Sequence, residues 1–252
     1  MKLLRPHAGL DELKADFPYG IAVSSSSRSS VAAGVATCAV RRSVDPGTCY
    51  LMSCRHVLSM SLIDEASTFT DMTVSVVGAQ LQRAGQPTGI RGSLAGQAAD
   101  FDAQLARLDA PSQAARALHD LSFHRDPPML RGPADMAGVT GFWIATGRRA
   151  ADGGRRFIWV ADPTPEFDFT MEYTLGHGVV RQITHTRVFR GRAEDTLGPG
   201  DSGSPAVLTL GGSRLIGMYI GGDGVNAYVI PSWQLLYPPN FGVTTGETWT
   251  LA

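Results

Sequence analysis

Cysteine is scarce: the 252 residues include Cys38, Cys49 and Cys54, an odd number confined to residues 38–54. A small secreted domain held by disulfides carries a set of pairs instead. The three therefore read as free, buried thiols of a reducing compartment. A Cys38–Cys54 bridge across neighbouring strands is the alternative. Their spacings match no familiar zinc ligand set. An excess of either charge is also missing. Lys and Arg total 22, Asp and Glu 23, and the formal charge is −1. That balance offers no electrostatic basis for binding nucleic acid or an anionic membrane surface. No stretch approaches the roughly 18 apolar residues of a membrane span. In the first ten residues the apolar run is too short for a secretory signal, and charges follow at once. The expectation is a cytoplasmic protein with neither nucleic acid nor membrane as partner.

Glycine (29) and proline (15) are plentiful, and hydrophobic residues make up 43%. This composition suits a sizeable core built from many short strands joined by turns. Strands are expected at residues 34–40, 49–54, 73–77, 136–146, 156–160, 167–173, 179–189, 206–210, 214–220 and 227–230. Turns are expected at Asp45-Pro46-Gly47 and Gln86-Pro87-Thr88-Gly89, with a hairpin tip at residues 149–154. Residues 10–17 allow one or two helical turns. Many short strands with turn signals imply a barrel or a sandwich.

One stretch carries chemistry: Gly198-Pro199-Gly200-Asp201-Ser202-Gly203-Ser204-Pro205-Ala206-Val207. Glycine reaches backbone angles closed to other residues and proline fixes its own φ. The segment suits a tight turn feeding a strand, with the Ser202 hydroxyl presented outward. The G-x-S-x-G elbow of another hydrolase class does not fit, because Ser204 stands at its second glycine. An ordinary hairpin turn is the competing reading. A serine hydroxyl needs a base to take its proton. Of His7, His56, His119, His124, His177 and His185, His56 stands out: it follows a strand-like run, Cys49 to Cys54, and lies upstream of the serine. A carboxylate belongs between them, and Asp100 and Asp102 at the head of Ala103-Gln104-Leu105-Ala106-Arg107-Leu108 are the candidates.

These segments resemble those of the trypsin-like (chymotrypsin-fold) serine proteases. G-P-G-D-S-G-S-P resembles the family's G-D-S-G-G-P, in a bacterial or viral form with Ser204 for glycine. L-M-S-C-R-H-V-L resembles its T-A-A-H segment, and D-A-Q-L-A-R-L its D-I-A-L-L, which favours Asp102 over Asp100. The order His56, Asp102, Ser202, with gaps of 46 and 100 residues, follows a template whose gaps are about 45 and 93. Leu215 to Gly222 resembles the family's L-V-G-I-V-S-W-G strand, which lines the specificity pocket and pairs with substrate backbone. Asn226-Ala227-Tyr228-Val229 resembles the strand that follows it.

The resemblance implies an all-β fold of two antiparallel six-stranded Greek-key β-barrels with the active site in the cleft between them. It divides the chain into a lead-in (1–18), a first barrel (19–110), a linker (111–130), a second barrel (131–236) and a tail (237–252). It implies a serine endopeptidase acting through an acyl-enzyme on protein or peptide substrates, with no metal or cofactor. His56, Asp102 and Ser202 would be catalytic, and the N–H groups of Gly200 and Ser202 would form the oxyanion hole. Thr196, Ile220, Gly221, Gly222 and Asn226 would line the substrate pocket. None is a carboxylate, so a neutral residue before the scissile bond is expected, unless a short shift brings in Asp195. A catalytically silent binding module and an esterase are the alternatives on this scaffold. For Asp201, Arg181 or Arg190 could be a partner, or the carboxylate could cap the turn. Ile21-Ala22-Val23 matches the family's activated N-terminus poorly, and Pro18-Tyr19-Gly20 is no basic cleavage site, so activity without N-terminal processing is expected.

Overall fold

The computed structural model describes residues 21–26, 31–59, 72–77, 80–92, 101–109, 123, 128–149, 151, 154–174, 180–209, 213–243 and 246–252. Its strands are antiparallel and form two sheets. The first contains β1 (Ala22–Ser26), β2 (Val31–Val35), β3 (Cys38–Arg42), β4 (Asp45–Ser53), β5 (Thr73–Val77), β6 (Leu81–Arg91) and β7 (Gln104–Leu108). The C-terminal β14 (Trp249–Leu251) joins it, and the order across the sheet is β14-β3-β4-β7-β6-β5-β1-β2. β2 and β3 lie near opposite ends of this order, yet only Ala36 and Thr37 separate them in the chain. The sheet therefore returns to its start through two covalent links. Taken as one interrupted strand, β2 and β3 make a six-stranded ring to which β14 is added.

The second sheet is a closed six-stranded barrel, β10-β13-β12-β11-β8-β9. It comprises β8 (Gly141–Arg149), β9 (Arg155–Thr174), β10 (Val180–Ala193), β11 (Pro205–Leu208), β12 (Arg214–Gly222) and β13 (Asn226–Pro231). Strand alternation divides its side chains between two cores. Phe142 and Ile144 of β8, with Ala227 and Val229 of β13, fill one core. Trp143, Ala145, Tyr228 and Ile230 join the other, which continues into the first sheet through Val23, Leu51, Met52 and Val57. Full burial of such side chains contributes about 1.5–3 kcal/mol each. The large shared core holds the two sheets together along the cleft.

The all-β class and the paired β units match expectation, while several boundaries differ. The strand foreseen at 34–40 is broken at Ala36-Thr37, where the second half docks. Gln86 to Gly89 is strand, not turn: it lies within β6, with a register shift against β7 between Pro87 and Arg91. That irregularity absorbs the proline, which has no N–H for the ladder. Asp45-Pro46-Gly47 opens β4, and the reversal falls at Ser43-Val44. β8 starts at Gly141, because Pro133–Met136 forms a 3-10 turn with proline in its first positions. The strands expected at 156–160 and 167–173 are one strand, β9. Within 237–252 the chain packs on the first sheet, with Phe241 on Phe101 (5.3 Å between rings) and on Trp249 (4.6 Å). All three cysteines are free and buried. Residues 10–17, 110–122 and 124–127 lie outside the described residues.

Candidate active site

β4 ends at Ser53, and the single helical turn α1 (Arg55–Leu58) begins two residues later. This strand-to-helix step places His56 at the cleft with its side chain 20% exposed. Asp102 precedes β7, which pairs with β4 so that Ser53 lies opposite Gln104. The carboxylate is fully buried and takes two hydrogen bonds from His56: the ring Nδ1 lies 2.6 Å from Oδ2, and the backbone N–H donates to Oδ1 over 3.1 Å. Burial alone would raise this carboxyl's pKa. The facing His56 charge and these bonds outweigh it and hold the carboxyl well below the usual carboxylate range. Asp100, the competing aspartate, lies outside the described residues. Arg55 is also fully buried, and its guanidinium donates to the Gly92 carbonyl over 2.8 Å. Gly92 N–H in turn donates to Ala103 O, so Arg55 steadies the loop that carries Asp102.

Ser202 lies on the turn between β10 and β11. Gly200 and Gly203 flank it at φ +90° and +87°, angles that side-chain-bearing residues rarely adopt. The Ser202 hydroxyl donates only weakly, over 3.4 Å, to Ile220 O. Among the described residues no acceptor takes the N–H of Gly200 or Ser202, so both remain available to a ligand oxygen. The turn docks into the break between β2 and β3. A Cβ on Gly34 would meet both Val57 of α1 and, at 2.6 Å, the Ser202 carbonyl. The His56 helix and the Ser202 turn thus approach the same glycine.

The partner of Asp201 is Arg148, at the end of β8. Its Nε–H donates to Oδ1 over 3.0 Å, and its terminal nitrogen reaches Oδ2 and the Thr196 carbonyl (2.9 Å). Gly198 N–H also donates to Oδ2, over 3.0 Å. Asp201 therefore binds an arginine and caps the turn. Sequence distance hid Arg148: it lies 53 residues away, and only barrel closure brings β8 beside β11.

Ile220, Gly221 and Gly222 run along β12 beside Ser202. Thr196 is exposed, and its carbonyl is held by Arg148 and Arg156. Asp195 is paired with Arg156 at 2.6 Å; that hydrogen bond and the Thr196 N–H lower its pKa. Asp223 was not foreseen. It accepts bonds from the N–H of Val225 and Asn226, the Asn226 amide and the Tyr228 hydroxyl. Its carboxylate oxygens are thus held by the loop and the start of β13.

Cys54, His56 and Asp102 bring one potential ligand atom each within 4.8 Å of one another. Burial keeps the Cys54 thiol protonated, and it donates to Tyr219 O over 3.6 Å. His56 Nδ1 is already committed to Asp102. The group is a hydrogen-bonded pair beside a neutral thiol, not a deprotonated ligand set.

Solved bacterial serine proteases are similar to this chain. They include Thermobifida fusca protease A (13% identity, 93% of this chain and 98% of that one, TM-score 0.46) and Nocardiopsis protease (13%, 92% and 97%, 0.49). The Cellulomonas bogoriensis chymotrypsin is another (15%, 93% and 98%, 0.47). No family model and no curated relative matches the chain.

Proposed function

We propose that the chain is a serine endopeptidase, hydrolysing peptide bonds through an acyl-enzyme, with a neutral residue before the scissile bond. The observation that carries this reading is the buried Asp102 accepting two hydrogen bonds from His56, whose helix meets the Ser202 glycine turn at Gly34. Asp102 fixes the Nδ1–H tautomer, so that Nε2 carries the basic lone pair. Ser202 Oγ attacks the substrate carbonyl carbon while its proton passes to Nε2. The N–H groups of Gly200 and Ser202 stabilise the oxyanion; one such donor is worth about 2.7–4 kcal/mol. Collapse of the tetrahedral intermediate expels the amine, which takes the proton back from His56. Water then repeats the sequence on the ester. No step requires a metal or cofactor.

A fluorophosphonate probe tests the reading. It should label the wild type and fail on Ser202→Ala and on His56→Ala, with circular dichroism unchanged. Asp102→Asn should slow peptide hydrolysis about 10⁴-fold, because the amide favours the wrong imidazole tautomer. Wild-type turnover in Ser202→Ala would sink the assignment.

A further inference from the structure

β9 and β10 form a hairpin whose pairing runs from Val160–Ala193 out to Thr174–Val180. Its outer face is polar and exposed: Thr170 bonds Thr184, and Gln182 bonds Glu172. Its inner face carries two directly opposed pairs, Phe169 with His185 and Met171 with Ile183. Phe169 stacks flat on Tyr228, with 3.5 Å between ring centroids and 5° between planes. Met171 lies against Gly221, where its sulfur fills the space that a Cβ would need. The hairpin therefore lies along β12 and β13 where they face the cleft.

β12 itself has an open edge there. It pairs with β13 through Gly221–Tyr228 and Gly222–Ala227, and with β11 only as far as Met218–Pro205. Among the described residues no strand pairs with Ile220, Gly221 and Gly222 on the side of Ser202. An open strand edge beside a nucleophile is a template for an extended peptide. A peptide laid antiparallel on this edge, with its reacting carbonyl at Ser202, sets the residue before the scissile bond opposite Ile220. The residue one further back falls opposite Gly221. Directly opposed residues project to the same face. Gly221 projects nothing, and Met171 occupies that face in its stead.

We infer that Met171 is the specificity-determining residue for the second position before the scissile bond, limiting it to small side chains. The inference rests on the protease reading above. Met171 takes no part in bond making. Its half-buried thioether forms a wall that Gly221 leaves to another strand. Methionine is flexible enough to pack there while excluding a bulky neighbour.

Dipeptidyl diphenyl phosphonates test it, with a leucine analogue at the reacting position and either Ala or Leu ahead of it. The quantity read is the ratio of inactivation rates, Leu over Ala. The wild type should favour Ala. Met171→Ala should raise the ratio roughly tenfold, the scale on which a few methylenes are discriminated in a pocket. Met171→Phe should lower it, and Met171→Leu, of similar volume, should stay near the wild-type ratio. Equal ratios in wild type, Met171→Ala and Met171→Phe overturn the inference while leaving the protease reading in place. Failure of the wild type to react with a peptide-free fluorophosphonate overturns that reading, and this one with it.

Discussion

Val35 donates its backbone N–H to the Ser202 carbonyl over 2.8 Å, across the junction between the two halves. Around that bond, Ser53 Oγ–H donates to Val35 O (2.6 Å) and Thr37 Oγ1–H to Gly203 O (2.7 Å), while Gly203 N–H donates to Tyr219 O (2.8 Å). The serine turn is thus held by the strand break of the first half and by β12 of the second. A shift of one half against the other would move Ser202 relative to His56.

Gly203 is the pivot of this junction. A Cβ there would collide with the Val35 carbonyl and the Ser53 hydroxyl, at a φ of +87°. Gly203→Ala should lower stability by about 2–4 kcal/mol, combining backbone strain with a forced separation of the halves. Fluorophosphonate labelling should fall as well. Gly198→Ala is the control: nothing lies within 4 Å of its Cβ position, and stability should stay within about 0.5 kcal/mol. Urea unfolding of both variants, read beside probe labelling, checks the contrast.

The site candidates were legible where chemistry is local in sequence. The glycine spacing around Ser202 announces a special turn, and the run before His56 announces a strand. What stayed hidden depends on closure of the sheets. Arg148 meets Asp201 only because β8 and β11 are barrel neighbours. Gly34 is one small residue among many until the Ser202 turn is docked on it. Pro87 carries a turn signal in sequence for a local reason: in the fold a strand irregularity accommodates the ring. The inner face of β9 is not legible in sequence, where the signals at 156–160 and 167–173 look like two strands and only the continuous strand orients Phe169 and Met171.

Arg148→Ala should leave the fully buried Asp201 carboxylate with Gly198 N–H in place of a cation. Removing one partner of a fully buried pair costs about 3–5 kcal/mol. The Arg148 side chain is 40% exposed, so about 2 kcal/mol is the expected loss after solvent screening. Because Asp201 adjoins both proposed oxyanion donors, kcat should fall more than KM rises. Arg148→Lys should recover part of the loss, since it restores the charge without the two-pronged geometry. A variant with wild-type kcat would show that the turn holds its shape without the arginine.

His185 gives the protein an acid-sensitive element. It is 1% exposed. Burial, with the neighbouring His56 charge, outweighs the pull of Asp102 and brings its pKa down to about 4. The unfolded chain binds a proton here near pH 6.5, and the folded chain only near 4. This contribution to stability is therefore complete above about pH 6.5, declines as pH falls and is lost below about 4, amounting to about 3 kcal/mol. His185→Leu should flatten the stability profile between those limits in chemical denaturation at a series of pH values. An unchanged acid limb would place the sensitivity elsewhere.

Arg156 decides whether the proposed pocket carries charge. Its guanidinium holds Asp195 at 2.6 Å and the Thr196 carbonyl at 3.1 Å. Asp195, the acid adjoining the expected pocket base, is thereby paired. A substrate lysine or arginine reaching Thr196 would meet a carboxylate that Arg156 already pairs, and would gain little from it. Asp223 is ionised as well, but its carboxylate oxygens are held by donors of Val225, Asn226 and Tyr228. The wild type should therefore cleave after neutral residues. Arg156→Ala removes the counter-charge from the exposed Asp195. Cleavage after Lys or Arg should then rise relative to cleavage after Leu by roughly tenfold, the equivalent of about 1.4 kcal/mol from a partly solvated ion pair. Arg156→Ala with Asp195→Asn should restore the neutral preference, which ties the effect to that carboxylate. A positional-scanning peptide library on the three proteins measures it, and strong cleavage after Lys by the wild type would mean that Asp195 already faces the substrate.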